Sequence, residues 1–336
     1  MPQIDAHELR QISTRILMHA GVPQELADLQ TDLLLEADLR GIPSHGLLRL
    51  RRIIERIGNG CASPTATGRH VWRRDAFLEV DGEMGLGPVV ADAALQAICG
   101  RARQSGIAVA AIRNSNHIGM LGYYAERVAS SGQTMLAFST SEALVHPWGG
   151  RKAMLGTNPI AIGVPTGDGP FVMDTATSIV SMGEVHDLAN RGEPLKPGWA
   201  LDAEGNPTTD AVAAKSGALA PFGGAKGYAL GLAFGLLTSS LAGAALGRDV
   251  RGTLDSDAIC NKGDLFIVID GPSAALEDYL DLIRQTEPVE GVEQVLIPGE
   301  RGRACRAERL RTGVPLADNL WLDLQQLAGE LTSKDA

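Results

Sequence analysis

The residues of this chain best suited to chemistry begin with Ser44-His45-Gly46-Leu47-Leu48-Arg49. Their spacing predicts a helix opening at Ser44, whose hydroxyl would cap an unpaired backbone N–H. His45 and Arg49 are four positions apart, so on a helix they share a face, one turn from each other. An imidazole that exchanges a proton near neutral pH would then stand beside a planar guanidinium shaped to grip a carboxylate. Such a pair serves one small molecule with both a proton and a clamp. The same face continues through Arg52 and Arg56, and that run reads equally as a solvated polar stripe.

The elements that must position this pair are helical. Residues 5–20 form an amphipathic helix ending at Gly21, and Pro23 opens a second helix that runs to Arg40. Gly41 and Pro43 break it, and Leu47, Leu50, Ile54 and Ile57 give the third helix its buried stripe. A strand over 77–80 and a helix over 88–103 follow. An apolar strand over 107–112 then runs into Asn114-Ser115-Asn116-His117-Ile118-Gly119, which places a second histidine at a strand end. Further strands are predicted over 134–139, 159–164, 170–174, 265–270 and 292–297, with helices over 274–285 and 317–331. Residues 187–216, rich in Pro, Gly and Asp, read as a long excursion over the surface.

Composition excludes several classes. The chain has 336 residues, enough for two or three lobes, and a net charge of −10, which leaves no basic field for nucleic acid or an acidic membrane. Cys61, Cys99, Cys260 and Cys305 form no C-x-x-C pair, and with no signal peptide at the start they read as reduced thiols of a cytosolic protein. The uncharged run 227–247 is long enough to span a bilayer. Its Gly, Ala, Ser and Thr content and its lack of an aromatic belt favour a fully buried helix, packed through small residues in an oligomer interface. No zinc-type ligand spacing occurs, and no metal is expected. Gly85-Leu86-Gly87 follows a strand and opens a helix like a dinucleotide loop. Its third position is Val90 and no acid ends the next strand, so it reads as an ordinary turn. Gly223-Gly224-Ala225-Lys226-Gly227 lacks the spacing of a Walker loop.

Other polar clusters gather at strand ends: Pro147-Trp148-Gly149-Gly150, Gly156-Thr157-Asn158-Pro159, Asp174-Thr175-Ala176-Thr177-Ser178, Gly198-Trp199-Ala200-Leu201-Asp202, the Lys226 loop and Pro298-Gly299-Glu300. Together with the two histidine motifs, and in this order over essentially the whole chain, they closely resemble the malate/L-lactate dehydrogenase family. That resemblance implies a mixed α/β fold that binds NAD or NADP without a Rossmann domain, on a largely antiparallel sheet, usually in a homodimer. It implies a helical lobe (1–68 with 300–336), a central α/β lobe (69–118 with 227–299) and a cofactor-binding lobe (119–226). Ser139, Thr140, Met173, Asp174, Thr175, Lys226, Gly227, Gly299 and Glu300 would line the cofactor site. The implied reaction interconverts a small 2-oxo acid and a 2-hydroxy acid. His45 would exchange the proton, Arg49 bind the carboxylate and Ser44 cap the helix with a secondary orienting role, while His117 remains the alternative proton donor. Thr157 and Asn158 are candidate substrate contacts.

The chain departs from the family's pattern at 183–190, where Asp187 is a candidate second acid–base group or a simple turn decoration, and at 248–264. Reduction of a cyclic 2-imino acid, leaning on Asp187, is the alternative reaction, and a catalytically silent nucleotide-binding protein is a third reading. Glu142 beside a cofactor strand favours NAD, whereas Arg301 and Arg303 favour NADP.

Overall fold

The computed structural model describes residues 1–332 apart from 168 and 273. Strand β1 (Gln3–Ile4) leads into helices α1 (Ala6–His19), α2 (Gln24–Leu39) and α3 (Leu50–Gly58). The middle of the chain runs β2 (Arg69–Arg74), β3 (Phe77–Asp81), α4 (Gly87–Ser105), β4 (Ile107–Arg113), α5 (Leu121–Ser130), β5 (Thr134–Ser139), β6 (Ile160–Val164) and β7 (Phe171–Thr175). Helix α6 (Met182–Arg191), β8 (Ala200–Leu201), β9 (Pro207–Thr208), α7 (Ala211–Ala214) and β10 (Ala218–Leu219) come next. The chain ends with α8 (Ala225–Ala242), β11 (Gly263–Ile269), α9 (Glu277–Arg284), α10 (Glu300–Thr312), β12 (Val314–Pro315) and α11 (Asp318–Thr332).

Seven strands form one sheet in the order β2-β3-β4-β11-β5-β6-β7. Every neighbouring pair is antiparallel except β3–β4, whose parallel pairing needs the crossover that α4 supplies. Strands expected in separate central and cofactor lobes therefore pair within a single sheet. Leu78, Val90, Ile112, Tyr124 and Phe266 fill the core cluster to which α4 and α5 contribute. The short β1–β12 pair joins the two ends of the chain, and Leu9, Ile16, Leu34, Val314 and Leu324 share a second core there. The excursion 187–216 carries α6, α7 and, with β10, a small three-stranded sheet around its own cluster of Val185, Leu195 and Leu219.

Two expectations are corrected, and one helix went unpredicted. Residues 292–297 form no strand; Val292 and Leu296 are exposed, and no neighbouring strand offers them a ladder. Helix α10 carries no buried residue and no apolar stripe, so periodicity does not announce it. Charge fixes it instead: Arg306 Nε donates to both Glu36 carboxylate oxygens at 2.8 and 2.9 Å, and Arg284 Nε donates to Glu300 Oε1 at 2.8 Å. Finally, α8 is not fully buried. Gly227, Gly231, Gly235, Thr238 and Ala242 lie buried, while Leu230, Leu236, Leu237 and Leu241 are exposed. Small residues let the backbone come close: a Cβ on Gly231 would stand 2.7 Å from Thr177 Oγ1. Among the described residues no helix is long and apolar enough to cross a membrane.

Candidate active site

The segment carrying His45 and Arg49 is not the continuous helix its sequence predicts. Two 3-10 turns, Pro43–His45 and Leu47–Arg49, flank Gly46, whose backbone is extended at φ −92 and ψ −155. The break has a cause eight residues upstream. Asp38, on the last turn of α2, is 2% exposed, and its Oδ2 accepts the Leu47 N–H at 2.7 Å. A Cβ on Gly46 would overlap that carboxylate, so glycine lets the turn sit directly on it. Ser44 is not an N-cap; its Oγ lies 3.0 Å from His45 Nδ1, and its carbonyl accepts from Arg49 Nε at 2.7 Å. One serine thus orients both functional side chains. The N-terminal end of α6 abuts this residue, since a Cβ on Gly183 would stand 2.9 Å from Ser44 Cβ.

His117 is held from the other side of the crevice. Asn114 (φ 51) and Gly119 (φ 75) bend the chain after β4, and the Gly119 N–H donates to His117 Nδ1 at 3.0 Å. Asn116 is anchored through Nδ2 to the carbonyls of Met84 and Gly85 (2.7 and 3.1 Å) and accepts from Arg56 Nε at 2.8 Å. Gly87, read from sequence as part of an ordinary turn, packs the start of α4 against His117, where a Cβ would overlap the His117 carbonyl. These constraints bring the two imidazoles together, with ring centroids 5.4 Å apart and planes tilted by 42°.

Arg49, Arg52, Arg56, His117, Gln30 and Thr253 border a cavity of about 30 Å³ beside the pair. Of the expected solvated stripe, Arg52 is half-buried and Arg56 is fully drawn into the fold. Arg56 is 4% exposed and bonds to Asn116, the Asp255 carbonyl and the Cys61 carbonyl. Desolvation first, and the Arg49 charge second, push His45 down to about 3. Burial, reinforced by Arg49 and His45, also holds His117 well below the usual histidine range. Arg49 is itself lowered to about 10 by burial and by Arg52. Burial raises Asp38 to about 7, against the opposing Leu47 hydrogen bond and Arg309 charge.

The expected cofactor residues divide into two groups. Met173, Asp174 and Thr175 end β7, and Asp174 Oδ2 accepts the Gly122 N–H at 2.7 Å at the start of α5. Gly299 (φ 96) lies against this strand, where a Cβ would stand 3.0 Å from the Val172 carbonyl oxygen and from Arg303 Nη1. Lys226 is exposed in the first turn of α8, on a segment tied to Thr177 through the Phe222 N–H at 3.0 Å. Buried Gly227 follows, with no room for a Cβ beside the Phe222 carbonyl. Hydroxyls, an ammonium group and a tight glycine turn thus gather along one strand end, a donor set that fits a dinucleotide.

Ser139 and Thr140 belong to the second group. They are buried, with Ser139 Oγ donating to Asp264 Oδ1 at 2.6 Å and Thr140 Oγ1 accepting the Gly263 N–H at 2.9 Å. Glu300 spends its carboxylate on the Ile297 N–H at 2.8 Å and on Arg284. Thr157 N–H donates to Ser141 Oγ at 2.9 Å, and Asn158 Nδ2 to the Gly231 carbonyl at 2.8 Å, so both tie their loop into the fold. Asp187 is exposed and ion-paired to Arg191 at 3.1 Å, not gathered with the histidines. Glu142 is committed to the fold as well: its Oε1 accepts from the Thr253 and Leu254 N–H groups at 2.8 and 2.9 Å and latches the 248–262 loop. Asp38 and the buried Lys262–Asp264 pair went unread in the sequence, because a lone acid or lysine amid apolar residues carries no periodic signal.

Comparisons with known proteins agree with this architecture. A family model described as malate/L-lactate dehydrogenase matches residues 4–325. The L-sulfolactate dehydrogenase of Methanocaldococcus jannaschii is 35% identical over 324 residues, 94% of this chain and 93% of that one. A dehydrogenase structure from Sinorhizobium meliloti superposes with a TM-score of 0.94 at 50% identity, covering 97% of this chain and 98% of that one. The Δ1-piperideine-2-carboxylate reductase structure from Pseudomonas syringae gives 0.86 at 31% identity, over 97% of this chain and 100% of that one. Motif order, fold and paired histidines lead to one conclusion: the chain belongs to the malate/L-lactate dehydrogenase family of NAD(P)-dependent oxidoreductases.

Proposed function

We propose that this protein interconverts a small 2-oxo acid and the corresponding 2-hydroxy acid at the His45–His117–Arg49 crevice. The observation that carries the reading is the 5.4 Å approach of two imidazoles beside an arginine whose Nη groups have no hydrogen-bond partner among the described residues. A bound nicotinamide cofactor supplies or accepts the hydride at C2. The chain's residues manage the proton and the carboxylate. His45, with Nδ1 against Ser44, exchanges the proton of the C2 oxygen through Nε2. His117 accepts the Gly119 N–H at Nδ1, so its proton sits on Nε2 and the ring donates a fixed hydrogen bond. Arg49 binds the carboxylate. In the oxidative direction neutral His45 is already a base. In the reductive direction the bound carboxylate offsets the Arg49 field, so protonation of His45 is coupled to substrate binding.

Asp174, Lys226, the Gly299 turn and Arg303 would hold the cofactor. Among the described residues no Asp or Glu borders the cavity, which favours a 2-oxo acid over a cyclic imino acid needing a carboxylate partner. The exposed leucines of α8 are the proposed homodimer contact, to be checked by sedimentation. A steady-state panel tests the reaction by offering NADH and NADPH with pyruvate, oxaloacetate and piperideine-2-carboxylate. Faster turnover of a 2-oxo acid supports the reading, and turnover of the imine alone overturns it.

A further inference from the structure

The cavity beside the histidine pair has one wall unlike the others. Leu33 and Leu34 of α2 and Leu86 before α4 are buried members of the two main cores, and His117 is pinned by its own turn. Gly252 and Thr253 form another wall, and they come from the loop between α8 and β11. The Arg251 N–H donates to Asn261 Oδ1 at 2.8 Å, and Gly252 (φ 82) packs so closely that a Cβ would stand 2.5 Å from Cys260 Cα. The loop therefore hangs from a narrow neck. Among the described residues none of 251–261 joins a hydrophobic core, and Leu254 and Ile259 are exposed.

Polar contacts hold this loop down from two sides. Glu142 Oε1 accepts from the Thr253 N–H, the Thr253 hydroxyl and the Leu254 N–H at 2.8, 3.1 and 2.9 Å. Opposite, Arg56 Nη1 donates to the Asp255 carbonyl at 2.8 Å and Asn59 Nδ2 to the Ser256 carbonyl at 3.0 Å. Arg56 also holds Asn116, so the loop closes onto the turn that carries His117. The cavity it covers measures about 30 Å³, room for little more than water, whereas a protein cavity that admits benzene measures about 150 Å³. Even the smallest 2-oxo acids match benzene in size, so a substrate enters only if a wall moves. The wall without apolar packing is the one that moves at least cost.

We infer that Glu142 is a positioning residue that acts through Thr253: it latches residues 252–260 as a strap over the crevice, and release of that latch admits substrate and frees product. The inference rests on the proposed reaction for the identity of what passes beneath the strap. The latch itself follows from this chain's own contacts and leaves proton transfer at the histidines untouched.

Amide hydrogen exchange on the full-length, NADH-loaded protein reads the strap directly. Glu142→Ala is expected to speed exchange over 252–258 by about 10-fold and to leave α2 and the His117 turn unchanged. With the 2-oxo acid turned over fastest, the same variant should raise KM about 10-fold and change kcat by less than about 3-fold. Fewer free molecules then hold the closed form, and bound substrate draws the strap shut. Glu142→Gln keeps an oxygen that accepts from both N–H groups, and Thr253→Val loses only the hydroxyl bond, so each should move exchange and KM less, in the same direction. Exchange over 252–258 indifferent to Glu142 would overturn the latch. So would faster exchange spread evenly over α2 and α3, which marks general destabilisation, or a fall in kcat with KM unchanged. Faster exchange confined to 252–258 in a protein that reduces no 2-oxo acid would sink the proposed reaction and keep the strap.

Discussion

The two histidines stand 5.4 Å apart, yet the turns that carry them leave different freedoms. The Asn114–Gly119 turn fixes His117 completely: a backbone N–H occupies Nδ1, a glycine packs the start of α4 against its carbonyl, and Tyr124 Oη donates to the neighbouring Ile118 carbonyl at 2.6 Å. The Pro43–Arg49 turn gives His45 a hydroxyl partner, which both donates and accepts, so Nδ1 of this ring is satisfied whether or not it carries a proton. In the proposed reaction one imidazole would donate a fixed hydrogen bond and the other would gain and lose a proton. The difference comes from backbone N–H against side-chain O–H, not from the histidines themselves.

The sharpest way to break that contrast is to replace each ring. His45→Gln is expected to lower kcat by about 10³-fold with nicotinamide binding unchanged, measured by turnover and by fluorescence titration of reduced cofactor. His117→Gln keeps an N–H donor and should cost only about 10-fold. Reversed magnitudes would exchange the two roles.

A smaller effect probes the support beneath His45. Gly46→Ala drives a Cβ into the Asp38 carboxylate and should destabilise the protein by about 1–3 kcal/mol while slowing turnover. Adding Asp38→Ala should recover part of the loss, because the methyl then occupies vacated space. Strictly additive effects in denaturant titrations would show that the contact does not shape the turn.

The smallest expected effect concerns pH. With Asp38 raised to about 7, the folded chain retains a proton that the unfolded chain releases between about pH 4 and pH 7. The Asp38 contribution to stability therefore falls as pH rises through that window. Asp38→Asn should raise Tm by about 2–4 °C above pH 7 and by little near pH 4. His45 acts in the opposite sense. Its pKa of about 3 is below the unfolded value, so its contribution is lost as pH falls below about 6.5, and His45→Gln should flatten the acid limb of the stability profile.

Much of this site was legible in the sequence, within limits set by what local pattern encodes. His45, Arg49 and His117 stand out by residue type and by the family resemblance, and the fold brings them to one crevice; α1, α2, α4 and β4 are legible from their apolar periods. The helix predicted from Ser44 breaks at Gly46 because a carboxylate from another helix takes the Leu47 N–H, and no local window contains both partners. Arg56 looks solvated by helical phase yet is buried, because phase tells which residues share a face and not what covers it. Glu142 follows β5 closely in sequence, yet its carboxylate is spent on a loop more than one hundred residues away.

The sequence by itself determined the candidate groups, the family and most regular elements, since those depend on residue identity and on contacts within a turn or two. Only the tertiary structure decided how those groups are poised. It set the tautomer of His117, the desolvation of both rings and the inward glycine face of α8. Each depends on which distant polar group or backbone comes within a few ångströms, and burial makes such pairing decisive because an unmatched donor or charge is costly away from water.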